Sequence, residues 1–339
     1  MRVAVSCRAE TSNGRYRAIL PLRELERRGH TVMWPGHPSF EVLAQGRVPK
    51  WDVLHVQQST NEDDVETIEM LARHGVAVVW DTDDDVSAPP KGSETYKTLG
   101  GRRKIRKFFQ LTVEIARAAH LMTTTNEHLA RIYRDAGVEH VKAIENYLGR
   151  EDLEGRRPRH QGVVIGIVAA HEHEIDLKKM RMGELVHDVL RAHDGVRVVS
   201  IGADLKIPDH RYRHVRHVPM ERLVQALREF DIGLAPLLDT PFNRARSNIK
   251  LKEYAAAGAM WLASPIGPYV AMGEAQGGLL VEHGDWRETL RALVEDHDRR
   301  LGLAASAHAW AKRQTVREAA GIWEGAFRSA ILRARQRAA

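Results

Sequence analysis

With 339 residues, the chain is long enough for about two domains, each burying its own core. Hydrophobic residues at 43% and charged residues at 28% exclude a disordered or fibrous chain, and the lone Cys7 excludes an internal disulfide or a thiolate metal cluster and fits a reducing, cytoplasmic compartment. The 51 Lys and Arg against 45 Asp and Glu leave a formal charge of +6, which suits an anionic partner: a nucleotide, a lipid head group, a nucleic acid or an acidic glycan. The opening apolar run is too short for a signal peptide, and no stretch reaches the roughly 20 apolar residues of a membrane span, so any membrane contact is expected to be peripheral.

Val3-Ala4-Val5 predicts a first strand. A polar stretch with Asn13-Gly14 predicts a turn, and Ile19, Leu22 and Leu25 at helical spacing predict a helix that Gly29 closes. Thr31-Val32-Met33-Trp34 then completes a βαβ unit. Asp52-Val53-Leu54-His55-Val56, Val76-Ala77-Val78-Val79-Trp80, Leu121-Met122-Thr123-Thr124-Thr125 and Val141-Lys142-Ala143-Ile144 predict further strands. Their near-continuous apolar character is that of a parallel sheet with helices on both faces. Residues 1–150 therefore read as a Rossmann-like, doubly wound α/β domain.

Residues 149–161 are charged, carry two glycines and a proline, and predict an exposed linker. The strand pattern restarts at Val163-Val164-Ile165-Gly166-Ile167-Val168 and continues through three more apolar runs, predicting a second Rossmann-like domain over 161–315. Beyond it, Ala319, Trp323, Phe327 and Ile331 recur every four residues and predict an amphipathic helix over 316–339, expected to cross back to the first domain. Two such α/β domains define a cleft, with chemistry expected in the loops after the strands.

The loop from Asp239 to Arg246 leads into Ser247-Asn248-Ile249-Lys250, which opens a helix reaching Gly258. Ser247 is predicted as its N-cap, leaving the amides of Asn248 and Ile249 and the positive end of the helix dipole free to bind phosphate. Glu253, two turns in, could accept hydrogen bonds from ribose hydroxyls. A simple cap and an exposed helical charge remain the plain alternative.

Asp81-Thr82-Asp83-Asp84-Asp85 follows a predicted strand, so mutual repulsion should raise at least one pKa. Asp81 and Asp83 are the two expected to face inward, where one could bind an acceptor hydroxyl or act as a base. A divalent metal and a solvated acidic turn are the competing readings. His171-Glu172-His173-Glu174 lacks the third clustered ligand of a convincing metal site. Gly14, Arg15, Tyr16 and Arg17 sit where the first loop meets the cleft, to guide an acceptor or cover a diphosphate. Arg102-Arg103-Lys104-Ile105-Arg106-Lys107-Phe108-Phe109 would form a cationic helix face, suited to an anionic lipid surface or a nucleic-acid backbone, against the alternative of a merely solvated face.

The run of Asp231, Pro236, Asp239, Phe242-Asn243, Ser247, Lys250, Glu253-Tyr254, Ala256, Gly258, Ala263-Ser264 and Gly267-Pro268-Tyr269 resembles the donor-binding segment of GT-B glycosyltransferases. The likeness is to the large retaining group related to glycogen and sucrose synthases. It extends more weakly through Arg15-Tyr16-Arg17, the strand at Trp51-Asp52, Glu145-Asn146-Tyr147, and His173 with Asp176-Leu177. The resemblance implies a UDP- or GDP-sugar donor, with Glu253 on the ribose, the 247–249 amides and His173 near the diphosphate, and Lys250 or Lys178 stabilising the leaving group. It implies no required cofactor or metal, and a glycan, lipid-linked or otherwise anionic acceptor.

Two positions depart from the family pattern: Ala245 stands where a sugar-contacting glutamate often lies, and Ala169-Ala170 where glycines usually do. Sugar contact is then expected from Asp239 or Asn243. These departures also admit a non-catalytic nucleotide- or glycan-binding protein, and the basic run admits a transferase acting on modified nucleic acid. The leading expectation is a two-domain retaining transferase.

Overall fold

The computed structural model describes residues 1–8, 11–170 and 173–338. The first sheet contains β1 (Arg2–Ser6), β2 (Thr31–Met33), β3 (Val53–Gln57), β4 (Ala77–Asp81), β5 (Leu121–Thr124) and β6 (Val141–Ala143), in the spatial order β2-β1-β3-β4-β5-β6. The second contains β7 (Val163–Ala169), β8 (Val196–Gly202), β9 (Tyr212–Val215), β10 (Ile232–Ala235), β11 (Met260–Ala263) and β12 (Gly278–Leu280), in the order β12-β11-β10-β7-β8-β9. Every pairing is parallel. Strand order reverses between β1 and β3 in one sheet and between β7 and β10 in the other, and a ligand site is expected outside the carboxyl ends at each reversal.

The helix Ile249–Ala257 is anchored over the second reversal by Tyr254. Its hydroxyl accepts from the Val168 amide of β7 at 3.0 Å and donates to the Leu234 carbonyl of β10 at 2.9 Å. The ring lies against Gly233, where a Cβ would fall 2.4 Å from it. A side chain at Gly233 would lift this helix off the sheet.

The predicted turn at Asn13-Gly14 is instead the start of the first helix. Thr11 caps it by accepting from the Gly14 amide at 3.0 Å, and Arg15–Ile19 forms a π-helical turn before the α-helix Leu20–Arg27. Gly14 is required by packing, since a Cβ there would sit 1.9 Å from the Arg8 carbonyl oxygen.

The segment after β6 is more than a solvated linker. Asp152 is buried and receives Arg15, while Arg157 donates to the Arg228, Phe230 and Gly258 carbonyls and pairs with Asp231 at 2.9 Å. Leu148 forms a parallel bridge with Thr315, where the chain passes back. The helix Val316–Ala338 then buries Trp323 and Phe327 beside Val5, Leu22 and Val79 of the first half. No described helix is long and apolar enough to cross a membrane.

Candidate active site

Where the two sheets' carboxyl ends face each other, a cavity of about 70 Å³ is walled by Asn13, Tyr16 and Asp83 on one side and His173, Arg246 and Lys250 on the other. The helix Ile249–Ala257 opens onto it. Its cap is Asn248 rather than Ser247, with no side-chain cap bond. The Ser247 hydroxyl instead accepts from Asn146 Nδ2 at 3.2 Å, across the two halves. The helix's own hydrogen bonding begins with Leu251 and Lys252 donating to the Asn248 carbonyl, which leaves the Ile249 and Lys250 amides outside the ladder at the positive end of the dipole. Asn248 Oδ1 is buried there without a partner.

Cross-cleft contacts hold the cavity shut. Tyr16 donates to Glu253 Oε1 at 2.6 Å, and Arg246 pairs with Asp84 at 2.6 Å while contacting His173 Nε2 at 3.1 Å. Lys252 Nζ pairs with Glu145 and donates to the Asn146 carbonyl, both at 2.8 Å. Asn126 Nδ2 donates to the Ala245 and Arg246 carbonyls. Ligand sites usually offer about 300 Å³ or more, so a ligand of ordinary size fits only once the halves part.

Burial and charge set the protonation states. Burial lifts the Glu253 carboxyl to about 7, against the opposing hydrogen bond from Tyr16. Burial, reinforced by Arg246, brings Lys250 down to about 8. Its ammonium makes no hydrogen bond or ion pair among the described residues. His173 is pushed well below its usual range by burial and by Lys250 and Arg246, so its ring is neutral. Asp83 is raised well above the carboxylate range by burial, then by Asp84 and Asp81, and accepts from Gln58 Nε2 at 2.7 Å.

Several expected residues lie elsewhere. Asp81 does not face an acceptor: it is wholly buried, with Arg17 Nη2 at 2.7 Å and the Thr123 hydroxyl at 2.6 Å on the same oxygen. Arg17 is likewise internal, bonded also to Asn146 and to the Ile144 and Thr124 carbonyls. Asn243 spends its amide nitrogen on Asp176 and the Leu238 carbonyl. Asp239 is exposed and held in a two-point pair with Arg244, which keeps its carboxyl below the usual range. Lys178 is exposed on a separate recess of about 630 Å³ with Arg181 and Lys206. Arg15 is tied to Asp152 at 2.8 Å. Ala245 is fully buried.

His171 and Glu172 lie outside the described residues; among those described, no three His, Cys, Asp or Glu side chains group as metal ligands. The four aspartates from the end of β4 onward each have a partner of their own, Arg17, Gln58, Arg246 and Ser87 in turn. The cross-cleft pairings of Arg246, Asp84, Lys252 and Asn146 escape sequence reading. For Arg246 one signal existed, its position one turn before Lys250.

Two doubly wound halves closing on one cleft define the GT-B class. Residues 181–320 match the glycosyl transferase-like family. Over 97% of its length the chain superposes on all of HepE of Anabaena, solved with UDP, at a TM-score of 0.62 and 12% identity. A trehalose-6-phosphate synthase matches with a TM-score of 0.63 and 11% identity, over 96% of this chain and 98% of that one. S. aureus TarM, solved with UDP, fondaparinux and α-GlcNAc-glycerol, matches at 0.56 and 12% identity over 81% of this chain, which spans only 55% of TarM. No curated protein sequence matches. The structural likenesses carry the GT-B fold, and the family match over part of the second half is to glycosyl transferase-like proteins.

Proposed function

We propose that the protein moves a sugar from a UDP-sugar to an acceptor hydroxyl, with retention of anomeric configuration and without a metal at the diphosphate. The observation that carries this reading is Lys250: a cation at a helix N-terminus, on the cleft wall, with no ion pair among the described residues. Leaving-group charge develops on the diphosphate, so a preplaced ammonium and the Ile249 and Lys250 amides stabilise the transition state more than the ground state. UDP is favoured as the nucleotide because HepE and TarM were solved with it, and retention because the trehalose-6-phosphate synthase was studied for transfer with retention.

On opening, Glu253 exchanges Tyr16 for the ribose hydroxyls and Arg246 exchanges Asp84 for phosphate oxygen. The bond from the anomeric carbon to the diphosphate oxygen breaks, the acceptor oxygen bonds to the same face, and its proton passes to the leaving oxygen. No protein base is needed. Asp83, kept protonated by burial, donates a hydrogen bond to the acceptor, and His173 contacts the donor sugar in place of the absent glutamate. The fragment α-GlcNAc-glycerol found with TarM points to a polyol or glycan acceptor. UDP release from a panel of UDP-sugars, in the presence of EDTA, tests the reading. Turnover should persist with EDTA and fall about 10²-fold or more in Lys250→Ala; loss of turnover with EDTA, or an unchanged Lys250→Ala, overturns it.

A further inference from the structure

A second basic cavity lies at the amino-terminal end of the first sheet, opposite the cleft. It measures about 220 Å³ and is lined in part by Arg117, Ala119, His140 and Arg337, with Glu139 its one acid. Three elements bring the cations together. The helix Arg102–Ala118 ends with Arg117, the segment before β6 supplies His140, and the last turns of Val316–Ala338 supply Arg333 and Arg337.

None of the three arginines is neutralised by a carboxylate among the described residues. Arg117 Nε donates to the Gly137 carbonyl at 3.0 Å, Arg337 Nη1 to the Ala118 carbonyl at 3.0 Å, and Arg333 Nη1 to the Ser329 hydroxyl at 2.8 Å. Gathering like charges in this way costs free energy unless an anion is present.

An independent observation comes from His120, next in sequence to the lining residue Ala119. The ring is fully buried, and its Nδ1 accepts from the Val78 amide at 3.0 Å. The one hydrogen of the neutral ring therefore sits on Nε2, which is buried with no acceptor among the described residues. Burial together with Arg337 and Arg333 holds the ring neutral, its pKa brought down to about 4. A buried donor without an acceptor, beside unneutralised guanidinium groups and a cavity, is the complement of an oxyanion.

We propose that this cavity binds a phosphate or phosphomonoester, with Arg117 and Arg337, which line it, as its cations, and with Arg333 and the His120 Nε2–H behind its wall. The volume suits such an anion, and the cavity lies at the end of the first sheet opposite the cleft, so the two sites are distinct. An anion here would also tie the end of Val316–Ala338 to the first half.

The test is titration of the full chain with inorganic phosphate against chloride at equal ionic strength, following Tm and the His120 Nε2 resonance. In the wild type Tm should rise by about 2 °C or more, with saturation, and the His120 resonance should move. In the Arg333→Ala/Arg337→Ala double variant, or Arg117→Gln if the double variant folds poorly, both responses should disappear. Equal responses in wild type and variant, or an unmoved His120 resonance, overturn the proposal. Cosedimentation with phosphatidic acid vesicles, against phosphatidylcholine alone, separates the sources. Given the phosphate response, added binding to the vesicles identifies a lipid head group, and none identifies a free anion.

Discussion

The Tyr16 hydroxyl donates to Glu253 Oε1 at 2.6 Å, joining the two halves through the carboxylate assigned to the ribose. The nucleotide and the first half compete for one oxygen, so closing the empty cleft and binding UDP oppose each other. Removing the hydroxyl lowers the cost of opening by roughly 1 kcal/mol, the net value of one hydrogen bond. Tyr16→Phe should therefore tighten UDP binding about fivefold. Weaker binding, read by fluorescence or calorimetric titration, would show that Tyr16 contacts the nucleotide itself.

Glu253 makes folding pH-dependent in an unusual direction. Its folded pKa of about 7 lies above the ordinary 4.5, so the folded chain holds this proton more tightly than the unfolded chain. The contribution is complete below about pH 4.5 and is lost as pH rises through 7. Glu253→Gln cannot ionise, and should be more stable than wild type at pH 8 by on the order of 2 kcal/mol, with the advantage shrinking toward pH 5. Urea denaturation at the two pH values checks this; an equal difference at both contradicts it.

On the proposed reading, Lys250 should set the alkaline limb of the reaction. Its folded pKa of about 8 means that the free enzyme loses the needed cation above that pH. kcat/KM for the donor should fall above pH 8, while the limb in kcat moves higher because a bound diphosphate favours the protonated amine. Lys250→Arg should abolish the limb in kcat/KM. A limb left in place by that substitution would assign it to another group.

Arg17 and Asp81 are an internal strut, with both side chains wholly buried. Asp81→Asn strands the guanidinium in the interior, a loss of about 3–5 kcal/mol. The urea midpoint should fall sharply, while acceptor KM, measured on folded protein at low temperature, stays near the wild-type value. A rise in acceptor KM with unchanged stability would return Asp81 to the acceptor site.

Most strands, though not β9 or β12, and the helix ends at Gly29 and Gly258 were legible because their signals are local. β-Branched apolar runs such as Val163 to Val168 need covering on both faces, and Gly29 ends a helix with φ of 87°. The motif around Lys250 and Glu253 was also visible, since helix 249–257 places them on one element. What escaped were pairings that no local window contains. Asp81 follows an apolar strand like any cleft residue, and only Arg17, 64 positions earlier, decides that it is internal. Arg246 and Asp84 are 162 positions apart, so neither announces the ion pair that closes the cleft. Ser247 has the better capping chemistry, but Asn146 claims its hydroxyl from the opposite half and the helix begins one residue later.

Calorimetric titration of UDP into wild type and Lys250→Ala bears most directly on diphosphate capture at the start of helix 249–257. The wild type should bind UDP, and the variant should bind it at least 30-fold more weakly, the about 2 kcal/mol expected of a charge-assisted contact. Equal affinity in the two proteins would place the diphosphate elsewhere and contradict the assignment of this cleft as the donor site.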